Sequence, residues 1–229
     1  MYMGITTALF TSSKPMLDFP LPTSHPCICN GDYTHKGPFS LKCVLTLLLT
    51  KLQCNKCIHL TCGNHELKKF YKQKLIDQFT SMNDEEVWQL IIGVLDELPL
   101  GVLLDQRILV NHGSLARPDL QVKDIRKIER GKNLRSFLIW ARVVEEDCMS
   151  YKNHHGYSFG PNITDTFLQS NNLKIIVRGH TYNPHGYLKS HNDRNINLHS
   201  APGMHPEDYT EGIQYGAFMI IFNKRMQIM

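Results

Sequence analysis

Four short apolar segments of this chain each run into a metal-ligating side chain set beside a glycine. Cys27-Ile28-Cys29 leads to Asn30-Gly31-Asp32, and Ile58-His59-Leu60 leads to Gly63-Asn64-His65-Glu66. Leu109-Val110 leads to Asn111-His112-Gly113, and Ile175-Ile176-Val177 leads to Arg178-Gly179-His180. Short apolar runs bounded by turn residues read as buried strands. In open α/β sheets, ligand sites gather at the carboxyl ends of strands. One such ending is uninformative, but four together place Asp32, Asn64, His112 and His180 in a common site. The fold class that accommodates them is a layered α/β fold, with strands stacked between helices.

The intervening segments fit that architecture. Helical spacing runs over residues 38–52, with Pro38 in the first turn and Leu41, Val44, Leu45, Leu48 and Leu52 on one face. A second helix is predicted over residues 67–79. A third begins where Asn83 stands three residues before Glu86, and it runs through residue 95. Strands are predicted at 100–104 and 107–110, joined by Asp105-Gln106, then at 173–177, 196–199 and 215–222. Short helices occupy 122–130, 134–140 and 161–170. Residues 11–26, rich in Pro, Ser and Thr, read as loop.

Several function classes drop out on composition. Lys and Arg number 25 against 21 Asp and Glu, a net +4 too small and scattered for a nucleic-acid surface. The longest apolar stretch, residues 43–49, is too short to span a bilayer. Residues 1–13 lack the basic and apolar regions of a signal peptide. With 7 cysteines, an odd number, the thiols are expected to be reduced and the protein cytoplasmic, nuclear or both. Cys54-Asn55-Lys56-Cys57 has zinc-knuckle spacing, and Cys27-Ile28-Cys29 is nearby. A closed structural zinc site needs two matched pairs, so these read as ordinary buried thiols. The 12 histidines justify a search for a different metal site.

That search returns to the strand ends. A phosphomonoester dianion repels its nucleophile; two divalent ions neutralise its oxygens and acidify a water. Such a site needs a carboxylate able to bridge ions, for which Asp32 is the candidate. It needs neutral N and O donors, supplied by Asn64, His112 and His180. It needs an acid for the leaving alkoxide, and His65 stands beside a ligand. Each residue alone has an ordinary explanation: Asp32 a turn former, Asn64 a helix cap, the histidines hydrogen-bonded core residues. Their order and common position at strand ends favour the site.

The motif order resembles G-D-x-x-D-R-G, G-N-H-E, H-G-G, R-(A/S/G)-H and S-A-P-N-Y of the phosphoprotein phosphatase family of serine/threonine phosphatases. Here the segments read Gly31-Asp32-Tyr33-Thr34-His35-Lys36-Gly37, Gly63-Asn64-His65-Glu66, His112-Gly113-Ser114, Arg178-Gly179-His180 and Ser200-Ala201-Pro202-Gly203-Met204. Asp124-Ile125-Arg126-Lys127-Ile128-Glu129-Arg130 and Phe159-Gly160-Pro161-Asn162-Ile163-Thr164 look most like the type-5 and EF-hand branches. The resemblance runs over residues 27–222. It implies a calcineurin-like metallophosphoesterase domain, a layered α/β/β/α sandwich, flanked by an N-terminal remnant (1–26) and a short tail (223–229). It implies hydrolysis of phosphoserine and phosphothreonine in proteins, with a phosphoprotein as partner and divalent ions (Mn, or Fe/Zn) as cofactors. Asp32, Asn64, His112 and His180 match metal ligands, His65 the leaving-group acid and Lys36 a phosphate contact.

The chain also departs from the family pattern. The upstream G-D-x-H-G motif that supplies the first of the family's two metal sites is absent, and residues 4–10 look like the tail of the helix that follows it in the family. The strand carrying it is therefore expected to be missing, leaving unpaired backbone on its neighbours and one well-supported ion instead of two. His35 stands where the family has an Asp that orients the acid, and a charged imidazole there repels a protonated His65. Lys36 replaces an Arg and loses its planar fork. Asn153 aligns with a second phosphate-binding Arg, and Met204 with a Tyr. Two readings follow: a slowed phosphatase, or a catalytically inactive pseudophosphatase that binds phosphoproteins. The lost groups favour the second.

Overall fold

The computed structural model describes residues 8–11, 26–34, 40–67, 84–115, 117–125, 133–149, 151–153, 156–201, 215–222 and 225–229. Helix α1 (Ser40–Gln53) buries Ser40, Cys43, Val44 and Leu47, which recur every three or four positions. The buried stripe is turned from the expected one: Leu45 and Leu52 face solvent. The helix stops where Lys51 donates to the carbonyls of Asn55 and Ile58, each at 2.8 Å, a cation placed at a helix carboxyl end. Helix α2 (Asp84–Asp96) brings Trp88, Ile91, Ile92 and Leu95 to the same core cluster. The helix predicted over 67–79 lies outside the described residues beyond Leu67.

One sheet runs in the order β13 (Arg225–Ile228), β12 (Phe218–Phe222), β1 (Ala8–Thr11), β2 (Cys27–Cys29), β3 (Ile58–Leu60). A second runs β10 (Tyr187–Ser190), β11 (Asn195–Leu198), β9 (Ile175–Arg178), β5 (Ile108–Asn111), β4 (Gly101–Leu104). Between the sheets pack Ile28, Val110, Val177, Ile196, Leu198 and Met219. Strand neighbours of these residues face outward. Cys27, Cys29, Ile58 and Leu60 meet α1 and α2. Leu109 and Ile176 meet Leu138 and Ile139 of α4 (Asn133–Trp140) and Phe167 and Leu168 of α5 (Pro161–Ser170). Both sheets are thus covered on both faces along their inner strands, which is why those strands read as apolar runs, and the layers are α/β/β/α as expected. Helix α3 (Val122–Ile125) precedes α4, and residues 126–130 of the helix predicted there lie outside the described residues.

The N-terminal segment departs from expectation. Residues 4–10 are expected to be a helix tail beside a gap in the sheet, yet Ala8–Thr11 is a strand that fills that slot, while residues 4–7 lie outside the described residues. β1 runs parallel to β12, with Ala8 opposite Phe218, and antiparallel to β2, with Ala8 opposite Cys29 and Phe10 opposite Cys27. The neighbours' backbone groups, expected to be left open, are paired. Two open ladders offer enough hydrogen bonds to override local helical preference. Because β1 opposes β2 in direction, its carboxyl end lies away from Asp32.

Three further features were not legible in the sequence. β13, read as a tail, pairs with β12. A small sheet of β6 (Arg142–Val143), β8 (Gly156–Phe159) and β7 (Tyr151–Asn153) sits beside α4. Cys54 and Cys57 are joined by a disulfide, where reduced thiols were expected; the turn from α1 to β3 brings their Cα atoms to 5.3 Å, within bridging range.

Tyr33 ties β2 to β3 just below the site. Its hydroxyl faces the carbonyls of Cys29 and Thr61 and accepts the amides of Gly31 at 3.0 Å and Thr61 at 3.1 Å. Tyr33→Phe leaves the buried Gly31 amide without this acceptor. It is expected to lower unfolding free energy by about 1–3 kcal/mol, read as a lower urea midpoint at unchanged m-value.

Candidate metal centre

β2 lies parallel to β3, and β5 to β9, so the carboxyl ends of all four strands fall on one edge of the sandwich. Hydrogen bonds stitch the two sheets together there. Asn30 Nδ2 donates to the Asn111 carbonyl at 2.9 Å, and His112 Nδ1 lies 2.8 Å from the Asn30 carbonyl. The Gly179 amide donates to the His112 carbonyl at 2.9 Å. Space is short between the loops. A Cβ on Gly31 would lie 2.5 Å from the Gly63 amide and 2.8 Å from His112 Nδ1, and Gly31 itself is left-handed at φ +83°. Only glycine fits.

Asp32 and His180 are also left-handed, at φ 60° and 67°. A non-glycine residue in that region costs about 1–2 kcal/mol, held here by the surrounding bonds. The strain turns both side chains into one space. Asp32, His112 and His180 offer ligand atoms within 4.8 Å of one another. His112 Nε2 is 3.2 Å from Asp32 Oδ1 and 3.0 Å from Asn64 Oδ1, and His180 Nδ1 is 2.9 Å from Asn64 Oδ1. All four ligand candidates are therefore brought together.

The donor set fits a divalent cation. The Asn30 carbonyl can only accept, so His112 carries a proton on Nδ1 and, when neutral, turns a bare Nε2 lone pair toward two oxygens. Lone pairs that converge without a proton between them repel, and a cation relieves that. One carboxylate, one amide oxygen and two imidazoles suit Mn, Fe or Zn. Burial alone would raise the Asp32 carboxyl, but the charge and hydrogen bond of His112, with His65 and His180, hold it well below the usual carboxylate range. Burial lowers His112, and the Asp32 carboxylate outweighs it, leaving the imidazole above its ordinary value. His180 is pushed well below, by burial first and then by the charges of His112 and Arg178, so it is neutral and ready to ligate.

His65 lies on the opposite side of Asp32, with Nε2 3.8 Å from Oδ2 and the side chain partly exposed. It is within reach of the site without belonging to the ligand cluster. His35, Lys36 and Met204 lie outside the described residues, as does the side chain of Asn153. Sequence reasoning gave no role to Glu66, whose buried carboxylate bonds to both loops. It also missed Trp140, whose ring meets His180 edge-on at 5.6 Å between centroids. Arg178 gets no role of its own from the Arg178-Gly179-His180 motif. It is buried, and its guanidinium donates to Thr181 Oγ1 at 2.7 Å and to the Ala141 carbonyl at 3.4 Å, tying the end of α4 to the His180 turn. The prior signals were the place of Glu66 at the end of the Gly63-Asn64-His65-Glu66 motif and, for Arg178, a charge closing the apolar run of β9.

Comparison with known proteins agrees with this geometry. The family model for calcineurin-like phosphoesterases matches residues 27–184. Serine/threonine-protein phosphatase 5 of Solanum lycopersicum is 34% identical over 186 residues, covering 78% of this chain and 34% of that protein. The Homo sapiens protein of the same name is 31% identical over 191 residues, covering 78% and 38%. The chain thus spans about a third of the length of these relatives. A solved Saccharomyces cerevisiae serine/threonine phosphatase with similarity to human PP5 superposes with a TM-score of 0.72 at 25% identity, covering 84% of this chain and 61% of that one. The match over residues 27–184 and these relatives, with the layered sandwich, show that the chain belongs to the calcineurin-like phosphoesterase family.

Proposed function

We propose that this chain carries a phosphoserine/phosphothreonine-directed site that holds a single divalent ion and hydrolyses slowly at best, so that phosphoprotein binding outlasts catalysis. The observation that carries this is the one-sided neighbourhood of Asp32. Oδ1 faces His112 Nε2 at 3.2 Å within the ligand cluster, whereas Oδ2 faces His65 Nε2 at 3.8 Å. The described residues form one group of three or more such ligands. β1 cannot add to it from its carboxyl end, because that end points away from the site.

The ion, when bound, would neutralise phosphate oxygens and acidify a water. The chain's own groups do the rest. Asp32 and Asn64 supply oxygen, and His112 and His180 nitrogen. His65 can hold a proton at Nε2 for a departing alkoxide. Lys36 supplies a charge for phosphate without the bidentate grip of an arginine. The relatives' names support the phosphoprotein as ligand class.

Purified protein loaded with manganese is expected to bind one ion per chain and to turn over p-nitrophenyl phosphate barely above a His112→Ala variant. Two tightly held ions with robust turnover would sink the proposal.

A further inference from the structure

Glu66 is fully buried, and its carboxylate gathers backbone amides from both loops of the ion site. Oε2 accepts Gly63 N at 2.8 Å and Asp32 N at 2.7 Å. Oε1 accepts Tyr33 N at 2.7 Å and Thr34 N at 3.2 Å, with Thr34 Oγ1 at 3.3 Å. The Gly63 bond closes the 3₁₀ turn Asn64–Glu66 on itself and is one half of a capping box, since glycine has no side chain to return the other. The others reach residues 32 to 34 positions earlier in the chain. A cap needs only the first. The rest fasten the β2 loop at the residue that is left-handed.

We infer that Glu66 is a positioning residue: it holds Asp32 in the left-handed conformation that aims its carboxylate at His112, Asn64 and His180, and so sets the affinity of the ion. The inference rests on the ion-site reading above. Charge-assisted hydrogen bonds are about twice as strong as neutral ones, and the amides of Asp32, Tyr33 and Thr34 all end on this one carboxylate. Together they outweigh the backbone strain at Asp32. The other contacts of the Asp32 side chain come from outside its own loop: Oδ1 accepts the His65 amide at 3.1 Å and lies 3.2 Å from His112 Nε2, and both depend on the loops staying in register. Without the clamp, Asp32 relaxes toward right-handed φ and its carboxylate leaves the cluster.

Glu66→Gln tests this with nearly the same shape. The amide oxygen accepts two of the four N–H groups, and the new NH₂ meets the other two as a donor. The full chain is titrated with Co²⁺ and followed by visible absorption, below the melting temperature of every variant. Ile176→Val, a core change in the second sheet, serves as a destabilised comparator. Glu66→Gln is expected to weaken Co²⁺ binding by about tenfold or more, in the range that removing a supporting partner of a ligand gives, and to alter the band of the bound ion. Ile176→Val should keep the original affinity and band. A folded Glu66→Gln protein with unchanged affinity and spectrum would overturn the inference. If Glu66→Gln does not fold, Glu66→Asp keeps the charge but withdraws it by one methylene; weaker binding supports the clamp and unchanged binding refutes it. If the unaltered chain takes up no Co²⁺, the ion site itself fails and the inference with it.

Discussion

Gly63→Ala is expected to abolish ion binding and to destabilise the chain by about 3 kcal/mol or more, at the top of the range for forced overpacking because hydrogen bonds are lost as well. The added methyl would press on Asp32 Oδ1, lie 2.5 Å from Asp32 N and sit 2.8 Å from Glu66 Oε2. Two of those atoms form the Glu66–Asp32 bond and the third belongs to a candidate ligand. None is the free end of a flexible side chain, so the loops must separate. The same substitution at Gly93 in α2 meets nothing within 4 Å. There alanine should stabilise by about 0.5–1 kcal/mol, because it loses less backbone freedom on folding. Thermal melts of the two variants, with manganese binding measured beside them, should therefore move in opposite directions. Equal melting points and full ion binding in Gly63→Ala would mean that the loops are not packed as described.

Ion affinity is expected to climb with pH and to drop by more than about 100-fold in His112→Ala, beyond the loss seen when only a ligand's partner is removed. Asp32 holds a proton on His112 in the metal-free protein, so the imidazole titrates above its ordinary range. An ion must displace that proton from Nε2. Below the raised His112 pKa, affinity should therefore fall by up to about tenfold per pH unit for the one proton released, and above it the dependence should flatten. Asp32 stays ionised throughout, since its carboxyl is held well below the usual range, and His180 is already neutral. Isothermal titration with manganese in buffers of different ionisation enthalpy counts the proton directly. A pH-independent affinity, or full binding in His112→Ala, would remove His112 from the ligand set.

The four candidate ligands, which the structure gathers in one place, were legible because of what surrounds them. Asp32, Asn64, His112 and His180 each follow a buried strand, and a polar residue at such a point needs a reason that a loop residue does not. The helices α1, α2, α4 and α5 were legible from apolar periodicity and from Pro161 at a first turn. β10 and β13 were not, because each edge strand is mostly exposed and carries no apolar run. β1 was misread for a different reason. Four residues of a mixed segment have little preference of their own, and their state is decided by the open ladders of β12 and β2 on either side.

The sequence by itself determined the fold family, the α/β/β/α layering and the identity of the four candidate ligands, because burial and motif order are written residue by residue. The tertiary structure alone decided how those ligands are aimed. It set Asp32 and His180 left-handed, turned His112 Nε2 toward two oxygens by way of the Asn30 carbonyl, and drew the amides of two loops onto Glu66. It also decided which way β1 enters the sheet, and hence that its carboxyl end lies away from Asp32. Direction and orientation depend on partners 32 to 82 residues away in the chain, and no local pattern encodes a hydrogen bond across that distance.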